Sequence, residues 1–159
     1  MKWISIVVTV IVLAVLVSGV LLAQSNPFVG TWKMNIAKTK YSPGPAPKST
    51  TRTIEAQGSG EKASNEGTAA DGSHIAWSYT ASYDGKDNPI SGTGPNGADT
   101  MALKRINANT IEATTKKAGK VVATARLVVS KDGKVTTITV KGTDASAPAV
   151  NNTIVFDKQ

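Results

Sequence analysis

Cysteine is absent from the chain, and His74 is its only histidine. Without thiols no disulfide can form, and a transition-metal centre built from thiolate and imidazole has no ligand set. Histidine-dependent nucleophilic triads are excluded too, unless His74 itself is the base. Its place just after the Asp71-Gly72 turn reads as that of a solvated residue at a strand end. Aromatic residues make up only 5% of the 159 positions, and 11 acidic residues face 18 lysines and arginines. Large apolar side chains are equally sparse once residues 1–23 are set aside: 28 in the remaining 136, beside 18 alanines. So thin an apolar supply excludes a multidomain protein, a polytopic membrane protein and a thick-cored α/β enzyme. Low apolar content also raises disorder, but disorder goes with high net charge, and +6 over those 136 residues is mild.

What is present begins with an export segment. Lys2 precedes an almost wholly apolar stretch, Ile4 to Val17, which runs on to Ala23 before the polar Gln24-Ser25-Asn26. A basic start, an apolar centre and a small residue before polar chain are the parts of a secretory signal peptide. Cleavage after Ala23 is expected. The uncharged run Trp3 to Ala23 is also long enough to span a bilayer, so an uncleaved anchor is the alternative. Either way residues 24–159 are expected to form one exported domain, periplasmic or extracellular.

Beyond Gln24 no helical stripe stands out. Short period-two runs rich in threonine and valine alternate with glycine turns, which is the pattern of an all-β protein. One face collects Ile75, Trp77, Tyr79 and Ala81; another collects Val121, Ala123, Ala125, Leu127 and Val129; a third collects Val150, Asn152, Ile154 and Phe156. Asp-Gly and Asn-Gly pairs at 71–72, 84–85, 96–97 and 132–133 supply the positive φ of tight hairpins. These signals bound about nine strands: 28–35, 49–57, 60–69, 73–82, 98–106, 110–117, 120–130, 134–142 and 150–157. Short turns make consecutive strands antiparallel neighbours. A meander of about 8–10 strands with one apolar face closes most economically into an up-and-down barrel, which removes its edges. A two-sheet sandwich is the competing architecture. Residues 36–48, with four residues of proline or glycine in Pro43-Gly44-Pro45-Ala46-Pro47, are too proline-rich for helix and are expected to cross one barrel end. Residues 83–97 read as a long polar loop holding at most one short strand.

Other motifs carry little chemistry. Gly92-Thr93-Gly94-Pro95-Asn96-Gly97 fits the dinucleotide-binding pattern letter for letter. That site needs a helix after the glycines, whereas here a turn and an alternating strand follow. Glu55, Glu61 and Glu66 could provide paired carboxylates, yet nothing positions a pair, and solvent-facing charges explain them. The basic residues are dispersed and no aromatic interleaves with them, so nucleic acid is not an expected partner. Arg126, at the centre of a late strand, reads as a surface residue; as a buried anion anchor it is the best candidate in that region.

Gly30-Thr31-Trp32 at the opening of the first strand resembles the calycin group, which comprises lipocalins, fatty-acid-binding proteins and avidins. The resemblance implies a barrel in which Gly30 and Trp32 are structural, with Trp32 packing across the closed end. The wider stretches 26–35 and 38–47, with Ala102–Ile106, Val129–Lys134 and Asn151-Asn152, resemble small exported bacterial proteins described as lipocalin-like. Two departures matter. Residues 36–48 are too short and proline-rich for the paired helices that cap fatty-acid-binding proteins. The last strand, Thr153 to Phe156, also lacks the Arg-x-Tyr carboxylate clamp.

Two functions are therefore weighed. The first is a non-enzymatic, monomeric carrier of a small hydrophobic or amphipathic molecule, lined by Ile75, Trp77, Tyr79, Met101, Leu103, Leu127 and Phe156 and needing no cofactor or metal. The second is an envelope-associated structural or interaction module with a filled barrel, presenting loops 36–48 and 83–97. An enzyme ranks third, for want of any constellation. Membrane contact is expected only through residues 1–23.

Overall fold

The computed structural model describes residues 26–142 and 149–159. The expected export segment, residues 1–23, lies outside the described residues. Ten strands run in chain order: β1 Gly30–Met34, β2 Ser49–Gln57, β3 Gly60–Thr68, β4 His74–Ser82, β5 Asp84–Gly92, β6 Thr100–Asn107, β7 Thr110–Lys117, β8 Lys120–Val129, β9 Val135–Gly142 and β10 Asn151–Lys158. Each pairs antiparallel with its neighbour in sequence, and β1 pairs with β10 through Trp32↔Lys158, Lys33↔Asp157 and Met34↔Phe156. The sheet is thus a closed antiparallel meander barrel, consistent with a calycin-like fold. Closure leaves the sheet with no unpaired edge.

One end is plugged. Phe28 and Trp32 are each 1% exposed, and the Trp32 indole Nε1 donates to the Phe28 carbonyl at 2.8 Å. Lys158 Nζ lies 5.0 Å from the centre of the Trp32 ring. Gly30, at φ +134°, makes room for this: a Cβ there would stand 2.8 Å from Lys158 Cε. The Arg105 guanidinium lies over the Tyr83 ring at 4.0 Å and beside Phe28 at 5.8 Å, closing the same end.

Three expectations need correction. Residues 84–92 form a full nine-residue strand rather than a polar loop. β5 lacks an apolar alternation because most of its side chains are exposed; only Ile90 packs against the core. Backbone pairing with β4 and β6 holds it in the barrel instead. Val121 does not join the inner face of β8. The register passes from Thr115↔Ala123 to Lys116↔Val121, so Val122 is an extra residue and Val121 is turned outward, 41% exposed. Glu61 is not a solvent-facing charge: it is 1% exposed at the plugged end.

The segment after β1 also differs in detail. A 3-10 turn, Ile36–Lys38, is capped by the Asn35 side chain. The chain then runs along β10, with a bridge Lys40↔Thr153 and a bond from Ser42 N to Asn152 Oδ1 at 2.9 Å. Gly92-Thr93-Gly94-Pro95-Asn96-Gly97 ends β5 and leads into β6 through a single 3-10 turn, Pro95–Gly97, with no α-helix there to receive a phosphate. Gly92 is needed for closeness rather than for a ligand. At φ +85° its absent Cβ would fall 2.3 Å from the Ala76 carbonyl oxygen.

Candidate functional site

A cavity of about 410 Å³ occupies the barrel interior. Nine of the ten strands contribute to its wall, the exposed β5 being the exception. Two features of the sequence make the space. Barrel diameter grows with strand number, and about eight strands already enclose an interior just wide enough for side chains to fill. Ala113, Ala123 and Ala125 then place methyl groups on the wall of β7 and β8 where larger residues would fill it. The scarcity of large apolar residues outside 1–23 is thereby expressed as volume.

Ile75, Trp77 and Tyr79 lie on the cavity wall from β4, and Met101 and Leu103 from β6. Leu127 of β8 and Phe156 of β10 complete the set, so the structure brings all seven sequence-chosen residues to one cavity. Trp77 and Tyr79 stack with ring centroids 6.1 Å apart and planes 21° from parallel, forming an aromatic panel. Residues of three connections frame the mouth: Tyr41 and Pro47 come from the β1–β2 segment, Ala69 and Ser73 from the β3–β4 turn, with His74 at the start of β4, and Thr93 to Asn96 from the β5–β6 turn. His74 is exposed there, as its position after Asp71-Gly72 implied. Gly30 and Trp32 stay at the plugged end and do not border the cavity.

The sequence reading missed the polar residues in the interior. Arg52 of β2 and Asn65 of β3 are cross-strand partners, 6% and 2% exposed, and both face the cavity. The Arg52 side chain runs towards the plugged end, past the small Ala63, to Glu61. There Nη2 donates to Glu61 Oε1 at 3.3 Å and to the Tyr79 hydroxyl. Tyr79 OH in turn donates to Glu61 Oε1 at 2.6 Å, and Tyr83 OH donates to Glu61 Oε2 at 2.7 Å. Asn26 Nδ2 then donates to the Tyr83 hydroxyl at 2.8 Å. Three donors converge on Glu61 and none of its partners accepts, which is the environment of an ionised carboxylate.

These surroundings hold the protons in place. Burial by itself favours the neutral guanidine of Arg52, but Tyr79 and Glu61 outweigh it and raise the group above its ordinary value. Burial first, and then the Glu61 charge, push the Tyr79 and Tyr83 hydroxyls well above the ordinary phenol value of 10.0. Arg52 opposes that rise at Tyr79. The guanidinium of Arg52 is thus held in its charged form and the two phenols in their neutral form, all three bonded to the Glu61 carboxylate.

Two donors of this cluster are left over. Arg52 Nε and Asn65 Nδ2 are buried and find no acceptor among the described residues, while Asn65 Oδ1 is held by Arg52 Nη1 at 3.5 Å. Each such orphan costs about 1–3 kcal/mol. Arg126, weighed above as an anion anchor, is exposed and pairs with Glu112 at 3.2 Å, so it has no part in the interior. A signal for the true polar set exists in the sequence. Arg52 alternates with Thr50 and Ile54, and Glu61 and Asn65 flank Ala63 at period two, which places all three with apolar residues on the inner face.

The chain matches no protein-family model and shows no significant similarity to a curated protein.

Proposed function

We propose that this protein is an exported, non-enzymatic, lipocalin-like carrier that holds one small amphipathic molecule inside its barrel. The observation that carries the proposal is the cavity of about 410 Å³ behind an open mouth, apolar and aromatic along its wall with a buried polar cluster at its depth. That volume and that mixture of surfaces are those of small-molecule sites, where apolar walls give affinity and a few placed polar groups give orientation. The apolar tail of the ligand lies against Trp77, Met101, Leu127 and Phe156, and its polar head is drawn towards Arg52 and Asn65. The alternative, an interaction module with a filled barrel, requires a packed interior, and the cavity favours the carrier.

The test uses the domain from residue 24 onwards beside the full chain. An environment-sensitive apolar dye is titrated while Trp77 fluorescence is followed, with W77F as the control that loses the signal. Saturable quenching that Ala125→Phe abolishes, at unchanged thermal stability, is the expected result. Ala125 borders the cavity, and an aromatic ring there occupies its volume. Absence of saturable binding, together with native mass spectra showing no retained molecule, would sink the carrier in favour of the structural module.

A further inference from the structure

From the polar cluster we infer that the ligand's head is an uncharged oxygen acceptor, a carbonyl of the ketone, ester or amide class, and not a carboxylate. The inference rests on the carrier reading above and specifies what its polar end must be.

Two observations carry it. First, two residues that border the cavity each carry a buried side-chain atom without a partner, and both atoms are donors: Arg52 Nε and Asn65 Nδ2, on residues 6% and 2% exposed. The remaining unpartnered buried side-chain atom among the described residues, Thr136 Oγ1, belongs to a residue that does not border the cavity. The Asn65 amide cannot rotate to hide its donors, because reversing it would point its NH₂ at the Arg52 guanidinium, which offers only donors. A carbonyl oxygen, with two lone pairs, suits a pair of such donors. A head group that only donates has nothing there to bind.

Second, the charge of Arg52 is already matched. Glu61 lies 3.3 Å from Nη2 and is itself 1% exposed, so the two form a closed ion pair in the barrel's depth. A carboxylate ligand would bring a second anion against a single guanidinium, away from water that could screen it. The other charged groups near the cluster do not change this balance. Arg105 is engaged with Tyr83 and Phe28 at the plugged end and does not border the cavity, and His74 stands exposed at the mouth. A neutral acceptor meets these donors with no such penalty.

The experiment compares probes with one tail and different heads, 2-undecanone, decanamide, decanoate and decylamine, each displacing the apolar dye from the domain at pH 7.5. The ketone and amide are expected to bind at least tenfold more tightly than decanoate or decylamine. Asn65→Leu, which keeps the volume and removes the donor, should erase most of that advantage, read as the ratio of ketone to decylamine affinity within the same variant. Glu61→Gln removes the competing anion, keeps one oxygen for Arg52 and Tyr79 and turns its amide nitrogen to the Tyr83 hydroxyl, which can accept; it should swing the preference towards decanoate. Decanoate bound as tightly as the ketone by the unaltered protein would overturn the inference and leave the carrier standing. Failure of every probe, dye included, would overturn the carrier and the inference with it. Should Glu61→Gln not fold, the Asn65→Leu comparison decides by itself, since a retained carbonyl preference there overturns the assignment.

Discussion

The Arg52–Glu61 pair shows how one residue's environment reverses its reading. Each looks like an ordinary charge on a strand, yet in the barrel both are buried and each is the other's counter-ion. Removing one partner strands the other in a low dielectric, a change that costs about 3–5 kcal/mol, whereas replacing both with apolar residues of similar volume is much less damaging. Glu61→Ala should therefore lower unfolding free energy by about 3–5 kcal/mol in urea denaturation. The double variant R52M/E61L should lie closer to the unaltered protein, and equal losses in the two would show that the charges are not coupled. The tyrosines make a second prediction. Burial raises Tyr41, Tyr79 and Tyr83 above 10.0, with Glu61 adding to the rise at the last two. A group whose folded value exceeds its unfolded one contributes stability that is complete below the unfolded value and is lost as pH rises above it. Stability from these groups should hold to pH 10 and then fall. In absorbance at 295 nm the folded domain should form little phenolate at pH 10, with ionisation arriving together with unfolding. A normal titration of all three phenols in the folded state would contradict this.

Elements held by burial and elements held only by pairing behave differently, and β5 is the clearest instance. Its pairing with β4 spans three residue pairs, Trp77↔Gly92, Ser78↔Ser91 and Tyr79↔Ile90, and its pairing with β6 shifts register between Asp84 and Asp87. With Ile90 as its one contact with the core, β5 should be the first strand to open. Amide hydrogen exchange should find β5 the least protected strand and β7, whose inner face is fully buried, among the most protected; the reverse order would refute this account. Gly92 anchors the β4–β5 end of that weak pairing. Gly92→Ala should destabilise the domain by more than about 1 kcal/mol, because a Cβ meets backbone there and φ is positive. Its effect is read as a lowered melting temperature, and an unchanged one would mean that the turn relaxes freely. The same distinction explains what was legible at this scale. Strands that alternate apolar and polar residues, such as β4 and β10, could be placed from sequence. β5 could not, because a strand stabilised by its neighbours' backbones carries no side-chain signature of its own. Val121 failed for a related reason: a bulge reverses the faces of everything before it, and a bulge has no period.

For the whole molecule, the thin apolar content and the cavity are one fact seen twice. A closed ten-stranded sheet with alanine along β7 and β8 encloses space it does not fill. Occupancy of that space by a neutral carbonyl compound should raise the melting temperature with ligand concentration, since a molecule bound only by the folded state stabilises it by mass action. Differential scanning calorimetry with 2-undecanone checks this, and a concentration-independent melting temperature would count against occupancy. Sequence alone determined the all-β class, the meander and the residues of the apolar wall. Alternation and glycine turns are local, and short turns leave consecutive strands little choice but to be neighbours. The resemblance of the Gly30-Thr31-Trp32 opening to the calycin group implied the plug at Trp32. Only the tertiary structure decided that β5 joins the barrel and that Arg52, not Arg126, is the buried cation. It alone decided that Glu61 already neutralises that cation. Those outcomes depend on which residues meet across strands far apart in the chain. A charge is costly or harmless according to its partner, and partners are assigned by register and closure, which no local pattern encodes.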